Sequence, residues 1–200
     1  MPTIDVNLSS SGSLETPRLI LRPWLDRDRE PFARMSTDPR VMQHLLPFAS
    51  PKAVDAWIDR QCAHLEAHGF CFWAIEAKAD GAFIGAAGLL RVGYEAHFTP
   101  AVEVGWRVDR RFWGQGYAPE AAACAIRFGF GHAELQEIVA NTAPANRNSR
   151  RVMEKLGMSH AADDDFDHPL VPNEHPLRRQ VLYRLQKGRW SVRDSTSHRP

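Results

Sequence analysis

Arg111-Phe112-Trp113-Gly114-Gln115-Gly116-Tyr117-Ala118 is the stretch on which the fold of this chain turns. It separates an apolar, alternating segment, Val102 to Arg107, that predicts a strand from an alanine-rich segment, Ala118 to Phe130, that predicts a helix. Glycines at such a junction leave backbone N–H groups uncovered and let an anionic group come close. The first turn of the helix adds unpaired donors and the positive end of a dipole, so a phosphate or pyrophosphate is the natural ligand. A P-loop would end in Gly-Lys-Ser/Thr, whereas here the residues are Gly116-Tyr117-Ala118, and the three glycines of a dinucleotide fingerprint are absent. Two glycines between a strand and a helix also serve as a plain tight connection, and the loop alone leaves both readings open.

Working outward, Phe70 to Ala77 and Ala82 to Arg91 predict two strands joined around Asp80-Gly81, a hairpin signal. Arg18 to Pro23 suits a first strand, Asp26 to Met35 a helix, and Asp38 to His44 a turn. Ser50-Pro51 supplies an N-cap and a first-turn proline for a helix that carries Val54, Trp57, Ile58, Cys62 and Leu65 and stops at Gly69. Beyond the alanine-rich helix come a strand at Glu137 to Asn141, a helix at Asn148 to Leu156 and a last strand at Gln180 to Leu185. A mixed α/β layer on a mostly antiparallel sheet is the expected class. Residues 1–13 and 187–200 read as polar tails flanking one domain at 14–186, although Trp190 has the character of an anchor.

Two hundred residues, 44% apolar and 24% charged, make one ordinary globular domain. A formal charge of +1 gives no general pull toward nucleic acid or membrane, so partners are to be sought at local sites. No apolar run reaches transmembrane length and the polar start lacks the pattern of a signal peptide, which places the chain in the cytoplasm as an expectation. Cys62, Cys71 and Cys124 form no CxxC pair and read as free thiols. The histidines lack zinc-site spacing, and no metal is expected. Cys124 reads as a small buried apolar residue rather than a nucleophile.

Three ordered motifs carry a resemblance. The run Glu103-Val-Gly-Trp-Arg-Val-Asp-Arg-Arg-Phe-Trp-Gly-Gln-Gly-Tyr-Ala-Pro-Glu-Ala resembles the acetyl-CoA motif of the GNAT superfamily of N-acetyltransferases. More narrowly it is similar to the branch of the ribosomal-protein N-acetyltransferases of RimJ/RimL type. Leu14-Glu-Thr-Pro-Arg-Leu-Ile-Leu-Arg-Pro23 is similar to the opening strand of that branch. Asn146-Arg-Asn-Ser-Arg-Arg-Val-Met-Glu-Lys-Leu-Gly-Met158 is similar to its late Asn-x-x-Ser helix, with Leu-Gly-Met where Leu-Gly-Phe is usual. The resemblance implies a GNAT fold, with a sheet of about six to seven strands whose central strands splay apart and which helices flank.

The resemblance further implies an acyl donor, acetyl-CoA, and transfer of its acetyl group to a primary amine, either a protein N-terminus or a small molecule, by direct attack in a ternary complex. The backbone at Trp106 and Val108 would then pair with pantetheine. Amides of Arg111, Trp113, Gly114, Gln115, Gly116, Tyr117 and Ala118 would hold the pyrophosphate, with Asn141 and Asn146 lining the other side. Such chemistry needs a deprotonated amine, a polarised carbonyl and a protonated leaving thiolate. Glu103, pointing away from Val102 and Val104, is the candidate base; alternatively it is a surface carboxylate or pairs with Arg107. Ser149 is the candidate proton donor, or else a helix cap.

Met42, His44, Leu45, Leu46, Phe48 and Trp73 are expected to wall the acceptor pocket, together with the segment 163–179. The acidic run Asp163-Asp-Asp-Phe-Asp167 would either attract a cationic acceptor or stand as a solvated loop. Two other functions fit the same loop: a non-catalytic acetyl-CoA-binding module, and an acyltransferase with a different acyl-CoA. A monomer or a homodimer is expected.

Overall fold

The inner strands of the sheet are apolar and buried on both faces. The computed structural model describes residues 12–190. In chain order the elements are β1 (Leu14–Glu15), β2 (Leu19–Arg22), α1 (Arg29–Met35), α2 (Pro51–His68), β3 (Phe72–Ala77), β4 (Phe83–Arg91), β5 (Val102–Val108), α3 (Tyr117–Gly131), β6 (Glu137–Thr142), α4 (Arg147–Lys155), β7 (Ser159–His160), β8 (Phe166–Asp167) and β9 (Arg179–Gln186). The sheet runs β1-β2-β3-β4-β5-β6-β9-β7, with β8 on β9. The strands beyond the expected six or seven are the two-residue β1, β7 and β8, too short to carry a period.

The helix ends follow local chemistry. Ser50 Oγ accepts from the Ala53 N–H at 3.3 Å, Pro51 opens α2, and Gly69 ends it in the left-handed region at φ 77°. On one face of the sheet, Trp73, Ile75 and Leu89 pack under α3, where Ala121, Ala122 and Ala125 are fully buried. These small side chains let α3 lie close on β4 and β5. On the other face, Ala74 and Ala86 meet Trp24, Phe32 and Ile58 of the α1–α2 layer. One bulge, with Ile84 as the extra residue opposite Ile75/Glu76, keeps both Ile84 and Ala87 on the α3 face. Residues 92–101 and β8 form a third small cluster through Phe98 and Phe166 on Val139 and Leu182.

One junction breaks the sheet's regularity. β5 and β6 are the parallel pair, and their ladder consists of Glu103 opposite Val139. Past that point the strands have no register between them, so a wedge opens alongside residues 104–108. The expected tails fall partly outside the described residues, at 1–11 and 191–200. Lys187–Arg189 form a short helical turn, and Trp190 rests on Phe130 with ring centroids 6.2 Å apart. The last described residues are therefore part of the packed body.

Candidate active site

The loop after β5 is built by Asp109 and two glycines. Asp109 Oδ1 accepts from the Arg111 N–H at 2.9 Å, and its carboxylate pairs with the Arg111 guanidinium at 2.9 Å. The arginine hydrogen bonds hold this carboxyl below the usual range despite partial burial. Gly114 and Gly116 adopt φ of 77° and 79°, and Gly116 is the N-cap of α3. A side chain at either position would be strained. The turn leaves the amides of Gly114, Gln115, Gly116, Tyr117 and Ala118 without an acceptor among the described residues, and the next residue, Pro119, has no N–H to orphan. Consecutive free donors at the start of a fifteen-residue helix fit a pyrophosphate in number and charge.

Not every loop residue expected to touch the phosphates is available to do so. The Arg111 amide and cation are both consumed by Asp109, and neither Arg111 nor Gln115 lines the cavity that the loop borders. Trp113 turns its indole N–H onto the Val108 carbonyl at 2.8 Å, closing the loop on the strand. Arg18, which sequence reasoning passed over, braces the loop from β1–β2. Its Nη1 donates to the Gln115 carbonyl at 2.9 Å, it pairs with Glu120 at 2.5 Å, and it lies 4.6 Å over the Tyr117 ring.

In β5 the Asp109 N–H bonds Ile84 on β4, so strand alternation turns the amides of Trp106 and Val108 the other way, into the wedge. Both residues line the cavity. The Val108 carbonyl is taken by Trp113, which leaves that residue its N–H.

Glu103, at the closed end of the wedge, lines the same cavity of about 700 Å³. Its Oε2 accepts from Asn141 Nδ2 at 3.0 Å, and Asn141 also lies 3.5 Å from the Tyr94 hydroxyl. Burial raises the Glu103 carboxyl to about 7, the Asn141 bond opposing that rise. The alternative pairing with Arg107 does not occur; that guanidinium points into the aromatic layer of α1–α2. Tyr94, from the 92–101 loop, was not foreseen, since its stretch carries no period. Burial and the Glu103 charge raise its phenol above the usual value.

Across the wedge, Asn146 is the N-cap of α4 and accepts from the Ser149 N–H at 3.2 Å. Asn146 Nδ2 donates to Thr142 Oγ1 at 2.9 Å and to Ser149 Oγ at 3.1 Å. Ser149 therefore is not the cap; its oxygen accepts, and its own proton has no acceptor among the described residues. Asn141, Thr142, Asn146 and Ser149 all line the cavity.

The acceptor side differs from expectation in several places. Trp73 is fully buried against Phe128 at 5.5 Å, and its neighbour Phe72 lines the cavity instead. His44 and Leu45 are on the wall, whereas Met42, Leu46 and Phe48 are not. Of the segment 163–179 only His168 reaches the cavity, its ring 4.3 Å from that of Tyr94. Within the acidic run, Asp164 pairs with Arg184 at 2.8 Å and Asp165 with His160 at 2.7 Å, Asp163 and Asp167 are exposed, and none of the four lines the cavity.

The family model of the acetyltransferase (GNAT) domain matches residues 18–159. FsC-acetyl coenzyme A-N(2)-transacetylase of Aspergillus fumigatus is 30% identical over 194 residues, covering 92% of this chain and 80% of its own length. The uncharacterized protein YkkB of Bacillus subtilis is 30% identical over 155 residues, covering 77% and 89%. The solved acetyltransferase from Agrobacterium tumefaciens matches with a TM-score of 0.69 at 26% identity, covering 87% of this chain and 94% of that one. A ribosomal-protein-S5-alanine acetyltransferase from Vibrio fischeri matches with a TM-score of 0.69 at 20% identity, covering 90% and 98%, a likeness of fold. With its glycine loop, its splayed parallel strands and a family match over most of its length, this chain belongs to the GNAT family and is an acetyltransferase.

Proposed function

We propose that the protein transfers the acetyl group of acetyl-CoA to a primary amine by direct attack in a ternary complex, with Glu103 as base and Ser149 as proton donor. The observation that carries this reading is the pairing of two features in one cavity. Four of the amides without an acceptor among the described residues, those of Gly114, Gly116, Tyr117 and Ala118, stand at its phosphate end, and a carboxyl with a pKa near neutrality stands at the far end of the wedge. When bound, acetyl-CoA supplies an electrophilic thioester carbonyl and a thiolate leaving group. The chain's own residues do the rest. The amides of Gly114, Gly116, Tyr117 and Ala118 hold the pyrophosphate, and the Trp106 and Val108 edge of β5 orients the pantetheine.

Glu103 takes the proton from the incoming ammonium, directly or through one water. A carboxyl titrating near 7 is matched to that task at neutral pH. Asn141 fixes one of its oxygens and leaves Oε1 for the proton. Asn146 holds Ser149 Oγ as an acceptor, which directs the Ser149 proton outward to the thiolate as the C–S bond breaks; the second proton of the amine, shed once the C–N bond has formed, restores the serine hydroxyl. Free thiols at Cys62, Cys71 and Cys124 suit a cytoplasmic enzyme, and no described helix is long and apolar enough to cross a membrane.

The test is a calorimetric titration with acetyl-CoA followed by thiol release across a panel of amines. Binding with release on some amine is the expected result. Binding with no release on any amine would point to a non-catalytic coenzyme-binding module. No binding would make the glycine loop a plain connection and sink the proposal.

A further inference from the structure

Glu103, Gly105 and Arg107 alternate along one face of β5, the face covered by α1 and α2. Gly105 makes room for the Phe72 ring, since a Cβ there would stand 2.7 Å from Phe72 Cζ. The cavity floor thus has a carboxyl at one end, an apolar middle and a guanidinium at the other. That guanidinium lies 5.4 Å from the Phe32 ring, 5.2 Å from Phe48 and 5.6 Å from Trp57. Among the described residues it has no carboxylate partner, and its buried Nη1 has no hydrogen-bond partner.

Several other arginines are held by carboxylates: Arg22 by Asp28, Arg29 by Asp59, Arg110 by Asp38, Arg111 by Asp109 and Arg184 by Asp164. Arg127 also buries a guanidinium nitrogen without a partner among the described residues, but it does not line the cavity. A buried cation left unpaired is costly, and ring faces offset only part of that cost. Burial lowers the Arg107 pKa to about 10, so it keeps its charge at neutral pH. Its remaining exposed surface opens on the cavity shared with Glu103, Phe72 and Trp57.

We infer that Arg107 is the anion-binding end of the acceptor pocket, and that the acceptor is an amine bearing a carboxylate, seated with its amine toward Glu103 and its carboxylate on the Arg107 guanidinium. The inference rests on the acetyl-transfer reading and names the substrate class of that same site. A planar guanidinium matches a carboxylate through two parallel hydrogen bonds. Four residues of strand separate the two positions by about 13 Å at the backbone. The acceptor's two charges are therefore several bonds apart, as in an ω-amino acid. The coenzyme's own phosphates are served elsewhere. The free amides stand at the α3 N-terminus, on the opposite face of the sheet from the α1–α2 layer into which Arg107 points.

The experiment uses the full chain saturated with CoA, titrated calorimetrically with ω-amino acids of increasing length, each beside its carboxamide. Acetyl-CoA affinity is measured separately for wild type and for Arg107→Met. At least one ω-amino acid should bind wild type about ten- to a hundredfold more tightly than its carboxamide. Arg107→Met should erase that difference while acetyl-CoA affinity stays at the wild-type value. Equal affinity of acid and carboxamide, or no binding throughout the series, would overturn the inference and leave acetyl transfer standing. Loss of acetyl-CoA affinity in Arg107→Met would assign the cation to a coenzyme phosphate and overturn it likewise. If wild type itself binds no acetyl-CoA, the parent reading falls first. The acid-against-carboxamide comparison is made on wild type, so it holds whether or not the variant folds.

Discussion

At Glu103 two forces oppose each other: the Asn141 hydrogen bond favours the carboxylate, and burial favours the acid and wins, to about 7. If this group is the base, kcat/KM rises with pH through about 7 in wild type, and Glu103→Gln lowers turnover and abolishes that rise. A pH–rate profile of both proteins checks it; an unchanged profile in the variant would remove Glu103 from the mechanism. The same shift has a consequence for stability. Because the folded carboxyl binds its proton more tightly than the unfolded one, stability is lost as pH rises from the ordinary carboxylate value of 4.5 through about 7. Glu103→Gln keeps an acceptor for Asn141 without the charge. It should be more stable than wild type above pH 7, by on the order of 3 kcal/mol at most, and equal to it at acid pH. Urea unfolding at two pH values measures that difference. At Gly116, with φ 79° at the α3 cap, a valine is strained. Gly116→Val should cost about 1–2 kcal/mol of stability. It should also weaken acetyl-CoA binding about a hundredfold or more through loss of the donor array, read by calorimetry.

The elements that the sequence made legible are those whose ends carry their own chemistry. Ser50-Pro51 and Gly69 bound α2 within a residue of expectation, because a cap, a proline and a left-handed glycine each act locally. The strands β3 to β6 and β9 were legible from their apolar runs, and β1, β7 and β8 were not, since two residues hold no pattern. Parity was harder. Phe72 and Trp73 are both large and aromatic, and only packing against α3 decides that Trp73 is core and Phe72 faces the cavity. The Asp109-to-Arg111 turn was readable in principle, because aspartate commonly bonds the amide two residues on. Arg18 and Tyr94 reach the site over long sequence separations and left no local signal. The α4 start binds structure and chemistry together. Asn146→Ala removes the cap and the donor to Ser149 at once, so it should cost about 1 kcal/mol and lower turnover as well. Ser149→Ala should lower turnover with a smaller stability loss. Urea midpoints beside kcat for both variants separate the two roles, and a Ser149→Ala enzyme of full activity would leave Ser149 with structure alone.

On the scale of the molecule, the single Glu103–Val139 pairing means that β5 and β6 are hydrogen-bonded at one end and open at the other. Beyond that pairing the two halves are joined by the core under α3, which holds Ile138, Ala140 and Tyr183 together with Ala121, Ala125 and Phe128, and on the other face by the cluster of Phe98 with Val139 and Leu182. A ligand in the wedge would therefore add contacts to both halves where β5 and β6 have no ladder between them. Linkage gives the size of the effect: at about a hundred times its Kd, a ligand that binds only the folded state adds about 2.7 kcal/mol. The pattern of protection is the sharper measurement. Gly114 to Ala118 present amides with no acceptor, which should exchange with deuterium fast in the free protein. With acetyl-CoA they should slow together with the Trp106 and Val108 amides, while the β1–β2 edge, three strands away in the sheet order, changes little. Protection of β5 without protection of residues 114–118 would keep the wedge as the pantetheine site but move the phosphates away from the α3 N-terminus, and the coenzyme's course across the molecule would have to be redrawn.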